Sequence, residues 1–420
     1  MKVLIITYHW PPAGGSGVQR WLKFVKYLPK HGIQPVVFCP QGAHYPKLDE
    51  SLVNEIPTEV VVVKHPVKDV SSILFSKKKT SKKGTSNLTN NKFLSFIRGN
   101  FFIPDAKISW VDSAVGFLKN FLQENRVDAI ISTGPPHSMH LIGLALKNSF
   151  DIPWVADFRD PWTDLYYAKD FYQLPFARNK NQKLEEKVLS NADLVLTVSD
   201  HIKHKLGQTS KNVQVITNGF DDETNVAEKP TLEADFTISY IGLLPKSSVP
   251  HRLFEVIQEL KGENESFKKD LKLKFMGDIN DEVKEIVGNQ GLTEQTEFHD
   301  YVPHKEAINA QHSAQVLLLL IPNVAHNEGI LTGKLFEYLA AKRPILAIGP
   351  TDGDLAKVLR ETNAGVVIDF DDAEKMKSSL IGFYEQFKAG ELEVQSKNID
   401  QFHRKNLTSK LVEVLKEVTA

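Results

Sequence analysis

Several stretches of this chain set glycine and a cation at the end of an apolar run, an arrangement that suits phosphate. The richest is HNEGILTGKLFEYLAAKRPILAIG, residues 326–349. A glycine-containing segment ends at Gly333, and residues 334–342 read as a short helix. Backbone N–H groups near Thr332, Gly333 and Lys334 form an anion site at such a helix start, and Lys334 adds a full positive charge. Glu337 lies one turn further on, where a carboxylate can accept two adjacent sugar hydroxyls. A diphosphate plus a ribose suits that pair. The pattern equally fits a capped amphipathic helix with Leu335, Tyr338 and Leu339 turned inward. YIGLLPKSS (240–248) repeats the theme, with Gly242 ending a strand and Lys246 and Arg252 downstream. It reads as a second phosphate contact or as a flexible surface loop. Near the N-terminus, Gly14-Gly15-Ser16-Gly17 separates an apolar run from a helical pattern. Gly15 and Gly17 start a G-x-G, but Arg20 stands where the third glycine of a dinucleotide loop belongs, and no P-loop occurs anywhere. That loop is a tight turn or a ligand loop.

Two further clusters carry other chemistry. TGPPHSMH (133–140) follows a strand and opens a helix, so His137 falls near the first helical position. It could reach into an interdomain cleft, or cap and pack locally. ADFRDPWT (156–163) gathers Asp157, Arg159 and Asp160 at the end of a buried strand. Charges there need partners or ligands, so they form either a site or a structural Asp–Arg pair beneath a loop. Asp352-Gly353-Asp354 has a D-x-D spacing used for divalent metals. It precedes the helical DLAKVLRE, which favours an N-cap role. No histidine pair at i, i+4 stands beside an acid as a zinc motif, so no metal is expected.

The elements that must position these residues are β-strands alternating with helices. Apolar runs at 3–8, 36–39, 60–63, 129–133, 154–158, 194–199 and 213–217 read as strands. Helical patterns such as 18–30, 137–148 and 179–190 fall between them. Continuous apolar strands with intervening helices mean parallel sheets covered on both faces. The series restarts at 237–242, 273–277, 297–302, 316–321, 344–349 and 365–369. The break, DDETNVAEKPTLEA (221–234), has linker composition. Two doubly wound domains follow, with ligands expected at the carboxyl ends of the strands and in a cleft between the domains. The length of 420 residues suits this.

Composition excludes other classes. Lys plus Arg is 51 and Asp plus Glu is 52, for a net charge of -1, which argues against a surface built for nucleic acid. One cysteine, Cys39, excludes an internal disulfide and a cysteine-cluster metal site. The apolar run 316–321 is far short of the ~20 residues of a membrane span, and the N-terminal MKVLIITYHWPP reads as a first strand rather than a signal peptide. A cytoplasmic protein is expected. One segment breaks the rhythm: residues 70–104 carry Lys77, Lys78, Lys79, Lys82, Lys83, Lys92 and Arg98 with no acid, and end in the aromatic FLSFIRGNFFIP. Cations with Phe93, Phe96, Ile97, Phe101 and Phe102 suit an anionic membrane surface, or form a solvated loop with a core-facing end.

Together, the Gly14–Gly17 loop, TGPPHSMHLIG, DFRDPW, NADLVLTVS, ITNGFD, YIG and TGKLFEYLAAKRPIL occur in an order that resembles the family 4 retaining glycosyltransferases. The resemblance covers most of the chain. It implies the GT-B fold, two Rossmann-like doubly wound domains facing across a cleft. The domains would be an acceptor-binding one at 1–220 and a nucleotide-sugar-binding one at 235–395, with a helix in 396–420 returning to the first. It implies transfer of a sugar from a nucleotide-diphosphate donor to a glycan or lipid-linked acceptor, with no cofactor or metal. Donor contacts are implied for Gly15, Gly242, Lys246, Arg252, Gly277, Thr332, Gly333, Lys334 and Glu337, with 301–304 near the base. His137 and Glu328 would lie by the transferred sugar, and Asp157, Arg159 and Asp160 on the acceptor side. The family's E-x7-E motif has Gly329, not Glu, eight residues before Glu337, with Glu328 one step further away. Either Glu328 takes the first glutamate's role or that role is lost, which leaves a non-catalytic nucleotide-sugar-binding scaffold as the alternative. A sugar-nucleotide epimerase of the same fold is a third reading, less favoured by TGKLFEYLAA.

Overall fold

The computed structural model describes residues 1–67, 92–164, 172–222 and 231–420. The chain forms two compact units, one of Met1–Thr217 with Arg404–Ala420 and one of Asn218–His403. The stretch Lys77–Lys83 and most of 221–234 lie outside the described residues.

Unit 1 runs β1 (Lys2–Ile6), α1 (Ser16–Tyr27), β2 (Gln34–Gln41), β3 (Val61–Pro66), α2 (Lys92–Phe101), α3 (Ile108–Glu124), β4 (Ala129–Gly134), α4 (Ser138–Lys147), β5 (Trp154–Phe158), α5 (Pro175–Asn191), β6 (Leu194–Thr197), α6 (Asp200–Leu206) and β7 (Val213–Val215). Its seven strands are parallel in the order β3-β2-β1-β4-β5-β6-β7. Side chains alternate between two apolar layers. Leu4 and Ile6 bury with Trp110, Leu118 and Trp154 on one face, and Val3 and Ile5 bury with Trp21, Leu22 and Val25 of α1 on the other. Each fully buried side chain of this size contributes ~1.5–3 kcal/mol, which is why the strands read as unbroken apolar runs.

Unit 2 runs β8 (Phe236–Ile241), α7 (His251–Glu263), α8 (Glu265–Asp270), β9 (Leu271–Met276), α9 (Asp281–Asn289), β10 (Thr296–His299), α10 (His304–Ser313), β11 (Val316–Leu320), α11 (Gly333–Ala341), β12 (Ile345–Ile348), α12 (Asp354–Thr362), β13 (Gly365–Ile368) and α13 (Ala373–Ala389). Six parallel strands take the order β10-β9-β8-β11-β12-β13. β10 stops at His299, short of the expected 302, and Tyr301 is exposed.

In each sheet the direction of strand progression reverses, between β1 and β4 and between β8 and β11. Ligands of doubly wound sheets bind at the carboxyl ends of the strands flanking that reversal. The glycine loop follows β1, TGPPH follows β4, Gly242 follows β8, and the segment leading to α11 follows β11.

The last helix, α14 (Arg404–Thr419), returns to unit 1, where Leu407, Leu411, Val414 and Leu415 join the layer of Val3 and Val25. Residues 399–402 form a separate 3-10 turn within unit 2, because Ile399 and Phe402 bury against Phe336 and Phe220. The crossing into unit 2 falls at Thr217, upstream of the linker-like composition, for the same reason: the Phe220 N–H donates to the Phe402 carbonyl at 3.1 Å.

Candidate functional site

Unit 2 builds a cationic corner from β8, β9 and α11. Gly242 ends β8 with φ 123. A Cβ there would stand 2.5 Å from Cε of Lys334, so only glycine lets the lysine stem cross the strand end. Lys334 Nζ donates to the Tyr240 hydroxyl at 2.8 Å and to the Leu243 carbonyl at 3.0 Å, and lies 4.6 Å from the centroid of the Tyr240 ring. The Tyr240 hydroxyl donates in turn to the Leu243 carbonyl at 2.6 Å. These partners are neutral, and burial of the ammonium among them lowers its pKa to about 8, opposed by nearby Glu337. Gly277 backs this corner. Its φ is also 123, and a Cβ on it would meet the Gly242 carbonyl oxygen at 2.5 Å.

α11 begins at Gly333 with Thr332 as its N-cap residue, yet the Thr332 hydroxyl caps nothing and is buried without a hydrogen-bond partner. The helix start is therefore open to an anion, with Lys334 beside it. One turn on, Glu337 is held through Oε2 by Gln311 Nε2 at 2.9 Å. Tyr338, on the inner face, accepts from the Ile241 N–H at 3.1 Å and so ties α11 to β8. Glu328 Oε2 is also buried without a partner. Its backbone is fixed, since its carbonyl accepts from the Asp354 N–H at 2.8 Å and Gly353 packs closely against it. An unpaired buried oxygen costs ~1–3 kcal/mol, so a ligand hydroxyl reaching it would recover that cost.

Lys246 and Arg252 are engaged elsewhere. Lys246 is 77% exposed and pairs with Glu282 at 3.2 Å. Arg252 pairs with Glu255 one helical turn away, a contact that raises its pKa.

Unit 1 builds a second corner. Gly15, φ 91, is the N-cap of α1, and the Gly17 carbonyl accepts from Arg159 Nη1 at 3.0 Å. His9 lies beside Gly17. Burial, then Arg159 and Lys107, lower the His9 pKa to about 4, so it is neutral at physiological pH. Arg159 is 3.7 Å from the exposed Asp160. Asp157 differs from both. It is fully buried, and its carboxylate accepts from Arg20, from Trp21 Nε1 at 2.7 Å and from Thr133 Oγ1 at 2.8 Å. Of the two sequence alternatives, the structural Asp–Arg pair describes Asp157, with Arg20 as the partner, while Arg159 and Asp160 remain accessible. A direct acceptor contact for Asp157 is corrected accordingly.

His137 is the residue before α4, and its ring stacks on Trp162 at 5.0 Å and 9°. Neither ring nitrogen makes a well-formed hydrogen bond. Burial, then His140, hold its pKa well below the usual value, against the pull of the Pro161 carbonyl. His140 is fixed from behind. Trp154 Nε1, which can only donate, gives its proton to Ser132 Oγ at 2.9 Å, and Ser132 Oγ in turn shares a hydrogen bond with His140 Nδ1 at 2.9 Å. Gly134 accommodates both rings, since a Cβ there would stand 2.7 Å from His140 Nε2 and 2.9 Å from His137 Nδ1.

Residues 14–224 match the Glycosyltransferase Family 4 profile. The chain belongs to that family. Residues 235–386 match Glycosyl transferases group 1, and no curated protein matches the chain by sequence. Its fold is similar to that of a glycosyltransferase from Rickettsia africae (14% identity, 99% of this chain and 98% of that one covered, TM-score 0.62). It is also similar to Anabaena HepE in complex with UDP-glucose (12%, 99% and 100%, TM-score 0.61). A third similar structure is the lipopolysaccharide outer core galactosyltransferase WaaB (13%, 99% and 99%, TM-score 0.59). At these identities the likeness carries the fold, which is GT-B, with two Rossmann-like domains.

In this family member the N-cap role expected from sequence for the D-x-D acids is corrected. Gly353 caps α12 and Asp354 is its first residue. Among the described residues, one group of potential metal ligands comes together, Asp221, Asp222 and His403. There the Asp222 carboxylate lies 2.9 Å from His403 Nε2, within hydrogen-bond distance. Sequence reasoning missed Tyr240, Gln311 and Ser132. Tyr240 lay inside a quoted motif as a strand residue, whereas nothing in the local sequence marks Gln311.

Proposed function

We propose that this glycosyltransferase moves a hexose from a nucleotide-diphosphate donor, with retention and without a metal, to a glycan or lipid-linked acceptor in cell-surface polysaccharide synthesis. The observation that carries the proposal is the pairing of Lys334 and the open start of α11 over Gly242, with Glu337 one turn away. The similarity to HepE, which binds UDP-glucose, and to WaaB, a lipopolysaccharide outer core galactosyltransferase, supports the donor and acceptor classes.

In this reading the α11 N–H groups and Lys334 stabilise the diphosphate as the sugar–phosphate bond breaks. The acceptor oxygen bonds to the sugar carbon from the same face, and its proton passes to a phosphate oxygen. Glu337 takes the ribose hydroxyls, and Gly15, Gly242, Gly277, Thr332 and Gly333 give the backbone room to approach the donor. Lys246 and Arg252 act at longer range. His137, neutral and stacked, and Glu328, with its unpaired oxygen, meet the transferred sugar. Arg159 and Asp160 meet the acceptor, and Asp157, bonded to Arg20, Trp21 and Thr133, holds the end of β5 from which they follow. The acceptor is met at an anionic, cytoplasmic membrane face, and nucleic acid is not a partner.

The Gly329 departure favours a second reading, a scaffold that binds the nucleotide sugar without turnover. Donor hydrolysis without acceptor separates the two, because only the enzyme releases free sugar. Glu337→Ala tests the site itself. Loss of a charged hydrogen-bond partner costs ~1.5–3 kcal/mol per bond, so donor affinity in calorimetry should fall at least tenfold with the melting temperature preserved. Unchanged affinity would refute the assignment.

A further inference from the structure

The inner face of α10 carries one residue that its packing does not require. Ile308 and Gln311, three residues apart, are the buried side chains of this helix. Ala307 and Ala310 pack on the apolar layer that holds Leu335 and Leu339 of α11. Gln311 is 2% exposed, and its Nε2 donates to Glu337 Oε2 at 2.9 Å. An ionised carboxylate only accepts, so the amide nitrogen must face Glu337 and the amide oxygen must face away. There Gln311 Oε1 is buried without a hydrogen-bond partner. An apolar side chain of similar length would fill the position without leaving an acceptor unpaired, since the two helices already meet through alanine and leucine. The glutamine therefore weakens the core and gains a single bond, to the carboxylate of the donor site.

Tied to α10 through Oε2, the Glu337 carboxylate cannot turn about its own stem. Its other oxygen, Oε1, has no hydrogen-bond partner among the described residues, and the residue is half-buried on α11. Gln311 is neutral, so it fixes the carboxylate without cancelling its charge, as a lysine or arginine in its place would. A fixed, charged acceptor one turn beyond the Lys334 ammonium suits the hydroxyls of a sugar that is joined to a diphosphate. It holds a vicinal pair of hydroxyls better than a single one. A site built to bond a hydroxyl rejects the analogue that lacks it.

We propose that Gln311 is a positioning residue of the donor site, which orients the Glu337 carboxylate on the ribose diol and makes the protein select ribonucleoside over 2′-deoxyribonucleoside diphosphate donors. This rests on the reading of Lys334 and Glu337 as donor contacts. The test is calorimetry of the full chain with whichever of UDP, GDP and ADP binds and with its 2′-deoxy form, beside thermal melts. The wild type should prefer the ribonucleotide by about tenfold or more. Q311L should bind the ribonucleotide about tenfold more weakly and narrow that preference. It should keep or raise the melting temperature, because the unpaired buried oxygen is gone. Q311E gives a signature that a packing role does not. Two carboxyl groups within hydrogen-bond distance share a proton, so at about pH 5.5 the new carboxyl donates to Glu337 as the amide does. Toward about pH 7.5 that proton is lost and the two charges repel, so affinity relative to wild type should fall as pH rises. Lys334 and Tyr338, the titratable neighbours of Glu337 on α11, are the same in both proteins and cancel in that ratio. Wild-type affinity and preference in Q311L, a lower melting temperature as its only change, or a Q311E ratio indifferent to pH would overturn the proposal. No nucleotide binding by the wild type would overturn the donor reading as well. Binding that Glu337→Ala removes and Q311L leaves intact would overturn this proposal alone.

Discussion

Replacing Lys334 by methionine isolates the cation on which the donor reading depends. The side chain keeps its stem over Gly242 but loses the ammonium that bonds Tyr240 and Leu243. A charged hydrogen bond to a diphosphate contributes ~1.5–3 kcal/mol, so nucleoside diphosphate affinity should fall about 10- to 100-fold. The pH dependence is the sharper signature. In the free protein the ammonium titrates at about 8 because of burial, and only its protonated form donates to phosphate. Wild-type affinity should therefore be flat below that pH and fall by up to tenfold per unit above it. K334M should show no such limb. Stability moves in the opposite sense. Between about 8 and the ordinary lysine value of 10.5, the unfolded chain holds a proton that the folded chain has released. Folded stability of the free wild type accordingly rises with pH across that window, and K334M lacks the rise. Calorimetry with UDP, GDP and ADP, with parallel denaturant titrations from pH 7 to 10, reads both effects. A wild-type limb retained in K334M, or equal affinities, would refute the role of Lys334.

Asp157→Ala should lose ~3–5 kcal/mol in urea unfolding, because it leaves Arg20 charged and buried without its partner; a loss of activity at full stability would instead make Asp157 a contact residue. Gly277→Ala should lower both melting temperature and donor affinity, since a Cβ at φ 123 costs ~1–3 kcal/mol and pushes on Gly242 beneath Lys334. Wild-type behaviour of that variant would break the link between the two glycines. Transfer should survive EDTA; activity lost to chelator and restored by manganese would direct attention to Asp352 and Asp354 or to Asp221, Asp222 and His403.

The sheets were legible because their strands are buried on both faces. A run such as VLLLL at 316–320 leaves little else to be. The cationic corner was half legible. Glycine and lysine stood out, but Lys334 and Tyr240 are 94 residues apart, and only the adjacency of β8 and β11 brings them into contact. Lys246 and Arg252 carried the same local signal as Lys334. They are drawn instead to Glu282 and Glu255, because an exposed cation takes the nearest carboxylate. Asp157, Arg159 and Asp160 looked alike in DFRD, although Asp157 lies within the fully buried β5 and Arg159 and Asp160 follow its end, where they are only partly buried. The bond from Gln311 to Glu337 was illegible, since a single glutamine carries no pattern and its partner lies 26 residues on.

That α14 belongs to unit 1 also bears on the order in which the molecule can be made. Unit 2 is an insertion with adjoining ends, as the bond from Phe220 to Phe402 shows. During synthesis it can close its own core before residues 404–420 emerge. Unit 1 begins first and finishes last, with the layer around Val3 and Val25 open on one side until Leu411 and Leu415 arrive. Nascent unit 1 therefore exposes an apolar strip for the whole time unit 2 is being translated. A ribosome stalled before Arg404 should display it to chaperones.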